Sequence, residues 1–205
     1  MSLDQILMNS PVHNRRSVRL EEYDYSQQGA YFVTICTQQR ECLLGQVMNT
    51  EMEINEAGKM VQSIWHNLSI RYPYSVMDEF IVMPNHIHGI IFLQELGRGD
   101  PCDRPENVGT YDREDLGEYK IRPYGTLPKT LGRIIQGFKS MTTHQYILGV
   151  KKQNWPSFPG KLWQRNYYEH VIRSEEDLNQ VREYIQNNPL NWAFDPENFP
   201  HPTSG

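Results

Sequence analysis

The stretch 84–92, Pro-Asn-His-Ile-His-Gly-Ile-Ile-Phe, places His86 and His88 either side of one isoleucine. In a strand, residues two apart point to the same side, so these imidazoles would project together while Ile87 and Ile91 face the other way. Two neutral imidazoles so placed can bind one divalent cation, but they supply only two ligands. A third protein group is needed, with positions left open for substrate and water. A strand whose outer face happens to carry two histidines explains so short a motif about equally well. A structural zinc site fits less well, because no cysteine stands at a suitable spacing near the pair.

A second constellation lies 100 residues on, in Asn-Gln-Val-Arg-Glu-Tyr-Ile-Gln-Asn-Asn-Pro, 179–189. Val181, Tyr184 and Asn188 are three and four residues apart and so line one helical stripe. A phenol one turn before a carboxamide is a nucleophile beside a metal ligand, and the neutral amide oxygen suits Mg²⁺ or Mn²⁺. Taken alone, the spacing fits better a core tyrosine and a C-terminal cap. Asn188 also precedes a proline, which disfavours α geometry and sets it at or just past the last regular turn.

These side chains need a frame. The segment 30–38 is rich in β-branched and aromatic residues and reads as a strand. A helix follows from the N-cap Asn55, with Met60, Val61, Ile64, Trp65 and Leu68 at helical spacing and Pro73 beyond its end. Two short apolar runs, 75–83 and 86–93, joined through Pro84-Asn85, suggest a hairpin. Residues 95–126 turn to Gly, Pro and charge, a surface excursion. A second helix carries Leu131, Ile134, Ile135, Phe138 and Met141 on one side, and 166–172 reads as a fourth strand. Ser174 with Asp177 forms a capping-box variant opening a third helix, with Glu175 and Glu176 at its positive end. Pro189 stops that helix, leaving an irregular tail, 189–205. The order β-α-β-β-α-β is the α+β, ferredoxin-like arrangement: an antiparallel sheet with two helices on one face. The additional C-terminal helix, which carries Tyr184, can cover the other face.

Composition sets outer limits. At 205 residues with 38% hydrophobic content, one domain spanning 1–205 is expected. No apolar run reaches eighteen residues, so no membrane partner is expected, and the first residues lack a signal-peptide pattern. Three cysteines without a Cys-x-x-Cys spacing fit a reducing cytoplasm. The net charge of -5 does not itself suggest nucleic acid, yet charges beyond about 10 Å are screened, so local basic patches matter more. A basic N-terminal arm, 1–25, holds Arg15, Arg16 and Arg19, whose guanidinium groups suit phosphates and bases. Lys129, Arg133 and Lys139 on the second helix are further candidates, with solvated surface charge as the plain alternative. Trp163, Gln164 and Arg165 can stack on and bond to unpaired bases, although a packing tryptophan fits as well.

Taken together, VMPNHIHGIIFL, KLWQRNYYEHVIRSEEDL, VREYIQNNPLNW and the opening NRRSVRLEEYDYSQQGAYFVTICTQ resemble the single-tyrosine HUH transposases, in particular the REP-associated tyrosine transposase branch. The likeness covers most of the chain outside the excursion and the extreme termini. It implies that His86 and His88 are the metal-binding pair, with Ile87 as the bulky residue between them. It further makes Asn188 the third ligand to Mg²⁺ or Mn²⁺ and Tyr184 the nucleophile. The implied activity is cleavage and rejoining of single-stranded DNA at hairpins through a 5′-phosphotyrosine, as in DNA transposition. The implied partners are single-stranded or hairpin DNA, with the protein a monomer or homodimer, cytoplasmic and nucleoid-associated when bound. Tyr167 and Tyr168 are the main rivals to Tyr184. Two other readings stay open: a non-catalytic hairpin-DNA-binding regulator of transposase origin, and a metal-dependent phosphodiesterase that releases its product.

Overall fold

The computed structural model describes residues 27–94, 129–195 and 197–198. Arg15, Arg16 and Arg19, with the rest of the basic arm and the excursion 95–126, lie outside the described residues.

Six strands and four α-helices make up the described part. β1 (Gly29–Cys36) leads through a 3₁₀ turn (Gln38–Arg40) to a small hairpin, β2 (Gly45–Met48) and β3 (Glu51–Ile54). Then come α1 (Glu56–His66), the short α2 (Leu68–Arg71), β4 (Ser75–Val82) and β5 (His86–Leu93). α3 (Leu131–Gln153), β6 (Tyr168–Ile172), α4 (Glu175–Asn187) and a 3₁₀ helix (Asn188–Phe194) complete the order. The main sheet runs β4-β5-β1-β6, with every neighbouring pair antiparallel. This is the ferredoxin-like α+β sheet. The β2–β3 hairpin between β1 and α1 is an addition to the six-element pattern.

Local chemistry explains where the helices begin. The Asn55 side chain accepts from the Gly58 amide at 2.9 Å, capping α1. Ser174 does the same for α4, accepting from the Asp177 amide at 3.1 Å. α3 starts at Leu131 behind its N-cap Thr130, so Lys129 sits in the preceding turn with φ 64°, not on the helix.

The sheet has two covered faces. Tyr31, Val33, Ile35, Ile87, Ile91 and Leu93 pack with Trp65 of α1 and Phe138 of α3 on one side. Ala30, Phe32 and Ile90 pack with Val181 and Ile185 of α4 on the other. β1 and β5 thus carry apolar side chains on both faces, as central strands covered on both sides do. Register also explains a kink in β4. Met77 and Phe80 both pack toward the α1/α3 side, which an alternating strand cannot do with an even count of residues between them. The pairing with β5 slips between these two residues. Alternation from Met77 sends Asp78 to the opposite side of the sheet, where it meets Arg182 of α4 in a two-pronged ion pair, at 2.9 and 2.6 Å.

The tail departs from expectation where it is described. Instead of irregular chain, Asn188–Phe194 forms a 3₁₀ helix. Pro189 enters it near its first turn, where a missing N–H does no harm. Asn188 has helical angles (φ -58°, ψ -41°) and closes α4 while opening the 3₁₀ helix.

Candidate active site

The two histidines stand where strand alternation puts them, on the α4 face. His86 is fully buried and His88 is 2% exposed, with their Nε2 atoms 3.0 Å apart. Two bare nitrogen lone pairs at that separation repel, so the arrangement calls for a proton or a metal cation between them. Burial keeps both rings neutral. It is the main cause of His86's pKa falling well below the usual range, helped by His88 and the Arg40 charge. For His88, burial alone brings the pKa down to about 3. Neutral imidazole is the form that ligates metals.

Each ring is held from behind. His86 Nδ1 lies 2.8 Å from Asn85 Oδ1, and His88 Nδ1 lies 2.8 Å from Thr34 Oγ1. Thr34 is the cross-strand partner of His88 in the β1–β5 register. Phe32, on the same face of β1, stacks on His88 with ring centres 5.4 Å apart.

α4 delivers Asn188 and Tyr184 to this pair. Val181 and Ile185 are fully buried and anchor the helix, so the i, i+3 and i+4 positions turn inward with them. Asn188 is 2% exposed; its Nδ2 lies 3.3 Å from His88 Nε2, while its buried Oδ1 has no hydrogen-bond partner among the described residues. The half-buried Tyr184 ring is centred 5.3 Å from that of His88 and meets Phe32 edge-on at 6.0 Å. Burial pushes its phenol pKa well above the usual value, and the Asp195 and Glu197 charges add to this; the Asn188 amide partly offsets them.

A fourth donor comes from the tail, and sequence reasoning missed it. Asp195, 4% exposed, directs Oδ2 to within 3.7 Å of His86 Nε2, and that oxygen too is buried without a hydrogen-bond partner among the described residues. Burial lifts its pKa to about 6. His86, His88 and Asp195 place ligand atoms within 4.8 Å of one another, a cluster able to hold a divalent metal ion. Two imidazole nitrogens, one carboxylate oxygen and an orphaned amide oxygen form a donor set that fits such a cation. Asp195 carries no periodic signal. It enters because the chain turns after Phe194, and Glu197 is clamped by Arg40 (2.7 Å) and by Cys36 Sγ, which donates to it at 3.1 Å.

The expected DNA-contacting residues separate. Arg133 and Arg165 are exposed. Lys139 is committed inside the molecule, donating to the carbonyls of Gln164, Arg165 and Asn166 at 2.9, 3.3 and 3.1 Å, and burial brings its pKa down to about 8. It therefore fixes the approach to β6 and is not free to take a phosphate. Trp163 packs in the core, 4% exposed, with Nε1 donating to Thr142 Oγ1 at 2.8 Å. It has no face for a base. Of the rival tyrosines, Tyr167 packs beside the α1/α3 core, whereas Tyr168 lies on the α4 face near Phe32.

No family model matches the chain. An uncharacterized protein of Haemophilus influenzae is 40% identical over 187 residues, covering 91% of this chain and 94% of that protein. A second protein of the same organism, named "Putative REP-associated tyrosine transposase", is 23% identical over 171 residues, covering 83% and 76%. Among solved structures, a REP-associated tyrosine transposase bound to a REP hairpin superposes with a TM-score of 0.52 at 19% identity, covering 86% of this chain and 76% of that one. That likeness is one of fold, and it includes the antiparallel sheet and the C-terminal helix. In sequence and in fold the chain is thus similar to REP-associated tyrosine transposases.

Proposed function

We propose that the protein cuts and rejoins single-stranded DNA at hairpin sequences through a 5′-phosphotyrosine on Tyr184, as in DNA transposition. The observation that carries this reading is the meeting of Tyr184 with the His86–His88 pair, brought together from elements 100 residues apart. A divalent cation, Mg²⁺ or Mn²⁺, held by His86, His88, Asn188 and Asp195 would polarise the scissile phosphate and stabilise its developing negative charge.

The chain's own residues do the rest. The Tyr184 oxygen attacks phosphorus; the Tyr184 O–P bond forms as the bond from phosphorus to the 3′-oxygen breaks. The phenol gives up its proton, and the departing 3′-oxygen takes one, so the step is balanced without water or ATP. The new linkage is itself a phosphodiester, so a later 3′-OH can reverse the step and join strands. Phe32 and Asn188 hold the phenol beside the imidazoles. The exposed Arg133 and Arg165, with Arg15, Arg16 and Arg19 of the arm, are candidates to bind phosphates. DNA of this kind places the protein in the cytoplasm, on the nucleoid.

The burial of His86, His88, Asn188 and Asp195, none more than 4% exposed, favours a second reading: a hairpin-binding regulator that no longer cuts. Labelled single-stranded hairpin DNA, incubated with the protein and Mn²⁺ and run on a denaturing gel, separates the readings. A covalent adduct lost in Tyr184→Phe supports the transferase. A native-gel shift without cleavage supports the binder, and cleavage unaffected by Tyr184→Phe with no covalent adduct makes water the nucleophile.

A further inference from the structure

Asn85, at the turn between β4 and β5, is 1% exposed and has every polar atom of its side chain engaged. Its Nδ2 donates to the backbone carbonyls of Glu197 at 2.8 Å and Arg40 at 3.2 Å. Carbonyls only accept, so these two contacts fix which way the carboxamide lies. Oδ1 is thereby left facing His86 Nδ1 at 2.8 Å. An amide oxygen has no proton to give, so His86 must carry its hydrogen on Nδ1. That leaves a bare lone pair on Nε2, aimed at His88. His88 has no such lock, because the Thr34 hydroxyl behind it can either donate or accept.

The same side chain acts on a second donor. By holding the Glu197 carbonyl it restrains the residue whose amide donates to Asp195 Oδ1 at 2.7 Å. The other oxygen, Asp195 Oδ2, is the one turned toward His86 Nε2. Asn85 is itself anchored, its carbonyl accepting from the Thr37 amide and hydroxyl at 2.8 and 2.9 Å.

We propose that Asn85 is the positioning residue of this site: one carboxamide sets the tautomer of His86 and ties down the segment that carries Asp195. The structural part stands on hydrogen bonds alone, and only its effect on metal affinity rests on the proposed metal-dependent function. Partners of this kind behind metal ligands typically change affinity by about 10- to 100-fold.

Nitrogen NMR of ¹⁵N-histidine-labelled, metal-free protein reads the tautomers directly, and hydrogen exchange reads the Glu197 amide. The wild type is expected to hold His86 with its proton on Nδ1. Asn85→Ala should lose that preference, speed exchange at Glu197 and weaken Mn²⁺ binding about 10- to 100-fold. Asn85→Asp keeps the acceptor and loses the donors, so it should restore the His86 signal while Glu197 still exchanges fast. If Asn85→Ala does not fold, Asn85→Asp alone decides. An unchanged tautomer and unchanged exchange in a folded Asn85→Ala protein, or loss of the His86 signal in Asn85→Asp, would overturn the assignment. A wild type that binds no Mn²⁺ would remove the metal reading while leaving the NMR result to judge Asn85.

Discussion

The chemistry proposed rests on a phenol in an unfavourable place to ionise. Burial and the carboxylates of Asp195 and Glu197 hold the Tyr184 proton on more tightly than in water. Its folded-state pKa is raised, so the phenol is protonated throughout the neutral range and its reactive fraction grows with pH. Adduct formation on hairpin DNA should therefore rise steadily between about pH 7 and pH 9 without levelling. A plateau within that window, measured by single-turnover gel assays, would mean that proton loss from Tyr184 does not limit the step. At this scale the sequence was informative in part. His86 and His88 show through strand alternation and Tyr184 with Asn188 through helical spacing, because both patterns are local. Asp195, Asn85 and Thr34 show through neither. Thr34 becomes visible only once β1 is laid beside β5, where it falls opposite His88.

Among the elements, α4 and β5 matter most, and close packing behind β5 sets their positions. A Cβ at Gly89 would run into the Trp65 ring, with Cη2 at 2.7 Å and Cε2 at 3.0 Å. That ring in turn stacks on Phe80 with centres 4.6 Å apart. Gly89→Ala must push Trp65 or bend β5 next to His88, and overpacking of this kind costs about 1–3 kcal/mol. Urea unfolding should show a loss in that range, with weaker Mn²⁺ binding as the strand shifts. Unchanged stability would mean the indole has room to move. The strands and helices themselves could be read from apolar periodicity, caps and prolines, since these act over a few residues. The β2–β3 hairpin could not. Its four-residue strands are half exposed, and nothing in their pattern separates them from loop. For Lys139 and Trp163 the sequence leaves two readings open, for a related reason. Helical phase places Lys139 off the apolar stripe but does not reveal that the chain before β6 folds back over its amine.

For the molecule as a whole, the site is a buried junction between sheet, helix and tail, and its protonation should register in stability. His88, with a folded pKa of about 3, binds fewer protons when folded than when unfolded, so folding is progressively disfavoured as pH falls below about 6.5. From there to about pH 5 the loss attributable to His88 alone is on the order of 2 kcal/mol, and His86 acts in the same direction. Asp195 works the other way. Its folded pKa of about 6 means the folded state holds a proton that the unfolded state gives up, favouring folding as pH drops toward about 4. Two histidines outweigh one carboxyl, so metal-free protein should lose thermal stability from pH 7 to pH 5. Asp195→Asn should steepen that decline; a flat or inverted profile would contradict the neutral buried pair. A cation bound only by the folded state adds about 2.7 kcal/mol at 100 times its dissociation constant. Mn²⁺ should raise the melting temperature of the wild type and not that of His86→Ala. Equal shifts in both would place the ion elsewhere.

The central claim is that the DNA phosphate becomes bonded to the Tyr184 oxygen. Mass spectrometry of protease- and nuclease-digested reaction mixtures tests it most directly. The account predicts a nucleotide phosphate on the peptide containing Tyr184, formed only with added metal and absent from His88→Ala. A nucleotide on Tyr168, or cleaved DNA with no modified tyrosine, would contradict it.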